Sequence, residues 1–158
     1  MRLAHSIWVP YPAHVLLEQF FDFEHVPFVH PRTLGRVEVL ELGKGWILAE
    51  LHLPLVAGLR VRSRFREEFV PPRRIEVRIL GGIGRGIRYE AEFLPEGEGT
   101  EVRERLVVPG LLGWLARLAP GPMLRRIGKV WEEDLEVGMC RGGWPGLDAV
   151  GIRELVSP

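Results

Sequence analysis

Cysteine is nearly absent: the 158 residues contain one, Cys140. A lone thiol cannot close an internal disulfide or build a thiolate cage, which excludes zinc fingers and any iron–sulfur cluster held within this chain. Asparagine is missing altogether, Gln19 is the only glutamine, and lysine is scarce beside arginine. With 13 prolines, this profile avoids thermolabile side chains and slack loops, as expected of a heat-adapted source. An excess charge of either sign is also lacking, since 21 basic residues balance 21 acidic ones. The overall field therefore gives no reason to expect nucleic acid as a partner. No apolar run approaches the roughly 20 residues needed to cross a bilayer. The first residues, "MRLAHSIWVPYPAH", lack the apolar stretch of a secretory signal, so a cytoplasmic protein without a membrane span is expected.

What is present points to one domain over residues 1–158, with 46% hydrophobic and 27% charged residues, enough for a substantial core. "RLAHSIWVP" alternates as a first strand, and "YPAHVLLEQFFDF" predicts a helix with Pro12 in its first turn and Leu16, Phe20 and Phe23 along one face. Pro27 and Pro31 cut the next stretch into a short second helix or turn. From Arg36 the period changes to two, and "RVEVLEL", "GWILAELHL", "LRVRSRFREEF", "RRIEVRIL", "GIRYEAEFL" and "TEVRERLVV" predict an antiparallel meander. Arg60, Arg62, Arg64 and Arg66 share one face of a strand and Val61, Ser63 and Phe65 the other, so one face meets water. After Pro109 the period is helical again, with a long helix from about Pro122 to Met139 and a loop-like tail packing back on the body.

One strand, two short helices, a six-stranded meander and a long final helix resemble the helix-grip fold of the Bet v 1 and START-like superfamily. The stretches that carry the likeness are "VPYPAHVLLEQFFDFEHVPFV", "FLPEGEGTEV" and "LLGWLARLAPGPMLRRIGKVWEEDLE". The resemblance implies an α+β fold in which a curved antiparallel sheet of about seven strands wraps the C-terminal helix and leaves a cavity between them. Strand parity turns Phe65 and Tyr89 inward, with Glu67 or Glu104, and together with Trp131 they would shape an apolar ligand pocket with a few polar handles.

Three residues in this frame call for chemistry. On the final helix Asp134 shares the side of Ile127, Val130 and Trp131, away from Arg125, Lys129, Glu132 and Glu136. A buried carboxylate must be paired, protonated or metal-bound, whereas Glu133 falls off that face and needs no partner on this reading. His25 and His30 sit among phenylalanines, valines and prolines in "FFDFEHVPFVHPRTLG". Two imidazoles and a carboxylate form the donor set of non-haem Fe(II) sites, and it also suits zinc. The ordinary alternatives are a capping histidine, a surface histidine and a salt-bridged aspartate.

"DFEHVPFVH" also resembles the Asp-x-x-His-x-x-x-x-His motif of the catalytic domain of Rieske-type aromatic-ring oxygenases, which has the helix-grip fold. The resemblance implies that His25 and His30 bind a divalent metal, Fe(II) before Zn, that Asp22 is the outer partner behind them, and that Asp134 in "WEEDLEVGMCRGGW" is the third ligand. Cys140 stands where that family carries a glutamine. The paired Cys and His motifs of a Rieske cluster are missing, so an oxygenase built on this chain would need a separate electron-transfer protein. Two functions are left open: a metal-dependent enzyme, oxygenase-like or hydrolase-like, acting on an apolar or aromatic small molecule, and a metal-free carrier of a lipid, isoprenoid or polyketide-type ligand.

Overall fold

The structure, a computed structural model, describes residues 1–54, 60–111, 113, 121–137 and 149–156. Seven strands, β1 (Arg2–Val9), β2 (Arg36–Gly43), β3 (Trp46–Pro54), β4 (Arg60–Val70), β5 (Arg74–Gly82), β6 (Arg88–Glu96) and β7 (Gly99–Val107), form one antiparallel sheet in the order β1-β7-β6-β5-β4-β3-β2. Helices α1 (Ala13–Phe21) and α2 (Val26–Val29) connect β1 to β2, α3 (Gly121–Glu136) follows the sheet, and α4 (Ile152–Val156) lies near the end. Because β1 and β2 occupy opposite edges of the sheet, the segment joining them has to cross it from one side to the other. That crossing carries both histidines of interest.

The alternation in β4 sorts its side chains as their polarity requires. Ser63, Phe65, Glu67 and Phe69 are buried, while Arg60, Arg62, Arg64 and Glu68 are exposed. On the outer face the arginines meet glutamates of the same sheet: Arg62 with Glu50 at 3.6 Å, Arg66 with Glu68 at 3.5 Å, and Arg78 with Glu76 at 3.0 Å. Such exposed pairs keep the surface solvated and add little stability. Register shifts between Val39 and Glu41 and between Arg64 and Phe65 bend the sheet locally, and Gly82, with φ 78°, lies beside the second.

The core lies between the inner face and the helices, with Val9, Leu16, Phe21, Ile47, Ile75, Phe93 and Val102 fully buried. Phe20 sits among three aromatics, 5.4 Å from Phe93, 5.8 Å from Trp131 and 6.3 Å from Tyr89 between ring centroids.

Several boundaries differ from the sequence reading. Pro12 is the cap before α1, and α1 ends at Phe21, so Phe23 lies beyond the helix. Helix α3 closes at Glu136, and Met139 and Cys140 fall outside the described residues. The tail, expected to be loop-like, contains α4, whose Ile152 is buried together with Val150. Its glycines and proline concealed a short apolar turn with one buried side.

Two carboxylates intrude on the inner face, Glu67 and Glu104, each 3% exposed. Glu104 is well supplied: it accepts from the Tyr89 hydroxyl at 2.5 Å and the Trp131 indole at 3.0 Å, and meets His5 Nδ1 at 2.8 Å. Glu67 Oε1 has no hydrogen-bond partner among the described residues, and burial pushes the Glu67 pKa well above the usual carboxylate value of 4.5. A raised folded-state pKa means that protons bind the native state more tightly. The stability this provides is full below pH 4.5 and is lost as pH climbs through the folded pKa. Glu67→Gln, which never ionises, is therefore expected to gain on the wild type by about 1.4 kcal/mol per pH unit across that window. Urea unfolding of both proteins from pH 4 to pH 8 measures the divergence; parallel curves would contradict it.

Candidate metal and ligand site

Between the sheet and α3 lies a cavity of about 210 Å³. Its walls are largely apolar, with Phe20, Phe23, Val26, Leu51, Phe65, Val77, Ile79 and Val130 among them. The polar groups that reach it are Gln19, His25, His30, Glu67 and Asp134. Of the expected pocket residues, Phe65 lines this cavity, while Tyr89 and Trp131 flank Phe20 and hold Glu104.

Local chain geometry delivers the histidines. His25 precedes α2 and His30 ends it, with Pro27 in the first helical turn where its missing N–H costs nothing. After α2 the chain folds back tightly: the amides of Leu34 and Gly35 both donate to the His30 carbonyl, at 2.9 and 2.8 Å. Gly35 takes φ 83°, and a Cβ there would lie 2.3 Å from the His52 carbonyl oxygen, so glycine alone lets the turn enter β2. His30 is thereby held from both sides, 1% exposed.

From α3, Asp134 (5% exposed) points at this turn. Its Oδ1 lies 3.0 Å from His30 Nε2 and 3.7 Å from His25 Nε2, and it accepts from Gln19 Nε2 at 3.0 Å. The imidazoles meet edge to face, 5.3 Å between centroids. One ligating atom from each of His25, His30 and Asp134 falls within 4.8 Å of the others. Donors bound to a common zinc-like ion at about 2.0–2.2 Å stand roughly 3–3.5 Å apart, so holding a metal would require side-chain shifts of about 1 Å.

Glu133 corrects the sequence reading. Placed off the apolar face by the helical wheel, it nevertheless reaches His30, with Oε2 2.8 Å from Nδ1. Its other oxygen accepts from the Thr33 hydroxyl at 2.6 Å, and Arg126 donates to the Thr33 carbonyl at 2.9 Å through Nε. The carboxylate behind the His30 imidazole is thus Glu133, a partner the sequence reading did not assign. Asp22 is buried, and its Oδ1 accepts from the Glu24 amide at 3.2 Å. Its charge and its backbone favour protonated His25, yet His25 Nδ1 closes no hydrogen bond among the described residues. His52 stays outside the cavity, beside Glu50 and Glu38.

The two histidines are pushed in opposite directions. Burial dominates at His25 and lowers its pKa, with the Asp134 charge opposing. Burial acts the same way on His30, but the hydrogen bonds to Asp134 and Glu133 together outweigh it and raise the pKa. His25 is therefore a neutral donor, while His30 sits between two carboxylates that can share its protons or orient its free lone pair.

Gln19, Thr33, Arg126 and Glu133 were not foreseen as parts of the site. A weak signal existed for Gln19, as the sole amide side chain of the sequence, on the helix that carries Leu16, Leu17, Phe20 and Phe21.

No protein-family model matches the sequence, and no curated protein matches it either. Solved structures do. TTHA0849 from Thermus thermophilus superposes with a TM-score of 0.69 at 19% identity, over 87% of this chain and 99% of that one. A START superfamily protein from Mycobacterium smegmatis gives 0.68 at 17% identity, over 86% and 97%. The Zhui aromatase/cyclase from Streptomyces sp. R1128 gives 0.64 at 19% identity, over 89% and 99%. At such identities the likeness establishes architecture: this chain has the helix-grip fold, with its sheet, its paired short helices and its closing helix.

Proposed function

We propose that the cavity holds one divalent metal on His25, His30 and Asp134 and, beside it, an apolar or aromatic small molecule. The observation that carries this reading is the convergence of two imidazoles and a carboxylate at one point of an otherwise apolar cavity. The chemistry of the donor set fits a metal. His25 Nδ1 is buried without a hydrogen-bond partner among the described residues, and its Nε2 stands too far from Asp134 for a hydrogen bond, at 3.7 Å, yet near enough to share an ion with it. The match of "DFEHVPFVH" to the ring-oxygenase motif supports Fe(II), and the same ligands accommodate zinc. The likeness to an aromatase/cyclase supports a ring-bearing ligand.

Each residue has a task on this reading. Glu133 accepts a hydrogen bond from the Nδ1–H of His30, leaving the Nε2 lone pair facing the cavity. Gln19 donates to Asp134 and fixes the carboxylate. Phe20, Phe23 and Phe65 exclude water and pack against the ligand rings. A bound Fe(II) would supply redox chemistry with dioxygen, and a zinc-like ion Lewis-acid polarisation. The chain's single cysteine cannot support a Rieske cluster, so oxygenation would draw electrons from a separate protein.

One observation favours a metal-free carrier instead: both nitrogens of His30 already have carboxylate partners, so a protonated imidazole is satisfied without an ion. Metal analysis of protein purified without chelator or a nickel column separates the readings. About one equivalent of Fe or Zn is expected in the wild type and background levels in Asp134→Ala; background metal in both would leave the carrier. Glu133→Ala is expected to weaken metal affinity roughly 10- to 100-fold in a competitive chelator titration. Asp22→Ala, with no hydrogen bond to lose at His25, is expected to weaken it less. The reverse order would return the supporting role to Asp22.

A further inference from the structure

Glu67 is the polar group of the cavity with no task in the site just described. It projects from the middle of β4, opposite Ile47 of β3 and Val77 of β5, with Phe65 and Phe69 on either side along the same face. It is 3% exposed, lines the cavity, and its Oε1 has no hydrogen-bond partner among the described residues. An unpaired buried oxygen is costly and rare enough to need a reason. Three neutral donors of this interior are already committed elsewhere, and none of them reaches Glu67. The Tyr89 hydroxyl and Trp131 indole donate to Glu104, and the Gln19 amide donates to Asp134.

We propose that Glu67 recognises a hydroxyl or carbonyl oxygen on an otherwise apolar one- or two-ring ligand in this cavity. The proposal rests on the reading that the cavity takes an apolar small molecule, and it names which one. Size comes from the volume: about 210 Å³ is below the roughly 300–1,000 Å³ of drug-sized sites. Polarity comes from the chemistry of the carboxyl. Held neutral by its apolar surroundings, it offers one O–H donor and one carbonyl acceptor, the pair that a ligand hydroxyl complements in both directions and a ligand carbonyl in one. A cationic ligand would need Glu67 ionised among Phe65, Val77 and Ile79, which the desolvation cost opposes. The ligand's polar atom is thus anchored on β4, while its rings extend along the apolar walls toward His25 and Asp134.

Calorimetric titrations with 1-naphthol, naphthalene and 1-naphthylmethylamine test this at neutral pH, after dialysis against a chelator so that no metal holds the hydroxyl. Wild type is expected to prefer 1-naphthol over naphthalene by about tenfold, the worth of one buried hydrogen bond. Glu67→Leu should bring the two affinities together while still binding naphthalene, and Glu67→Gln, which keeps a donor and an acceptor, should retain the preference. Equal affinities in the wild type would overturn the proposal without needing any variant. So would a full 1-naphthol preference in Glu67→Leu, or tighter binding of the ammonium probe than of 1-naphthol in the wild type. Absence of binding by any of the three would overturn the ligand-cavity reading itself and this inference with it. Background metal in the wild type as purified, together with the predicted preference in these titrations, would remove the metal reading alone.

Discussion

A carboxylate buried on a helix has to be met by donors brought from elsewhere in the chain, and Asp134 sets that requirement here. Its partners come from two places: Gln19 on the helix after the first strand, and His25 and His30 around the short helix that follows. Both belong to the one connection that must cross the sheet, because the strands it joins are at opposite edges. The topology that closes the fold therefore also delivers the groups that make the buried charge tolerable. Loss of that charge pairing would leave an uncompensated ion in an apolar interior, a far larger cost than any surface pair on the outer face could offset.

The acidic side chains of the interior are managed in different ways. Glu104 is surrounded by neutral and weakly basic donors from Tyr89, Trp131 and His5, which ties β1, β6, β7 and α3 together through a single side chain. Asp134 and Glu133 share the imidazole of His30 and so form one electrostatic unit with it. Glu67, whose Oε1 has no hydrogen-bond partner among the described residues, has its pKa raised by burial. A carboxylate held by hydroxyl and indole donors, one held by an amide and imidazoles, and one that burial pushes toward its protonated form thus occupy the same small core, distinguished by which donors reach them.

The strands were plain in the sequence because one face of the sheet meets water: Arg60 to Phe69 could only be sorted one way, and a one-residue slip would have buried the arginines. Asp134 was legible for the same kind of reason, as a charge on the apolar side of a helix. Glu133 was not, since a helical wheel fixes where a side chain starts, and a glutamate at the edge of the buried face is long enough to fold back over the neighbouring turn. Its target was hidden too, because His30 is turned toward α3 by a loop whose geometry depends on Gly35 and on contact with the His52 carbonyl. The placement of Tyr89 and Trp131 depended on which side of Phe20 they would pack, a tertiary choice that alternation does not encode. The last helix was overlooked because its length is five residues and its surroundings are rich in glycine.

The contact between His30 and Asp134 joins residues 104 apart in sequence. Contacts of such separation are entropically late, since most of the chain must be ordered before they can form. A partly assembled chain would carry two imidazoles on one element and their carboxylates on another, with no enclosed space between them. Whatever binds across that junction binds the finished protein and not its precursors, so occupancy and the docking of the closing helix are one equilibrium seen from two ends. The helix acts as a latch whose keeper is the short turn between Phe23 and Gly35.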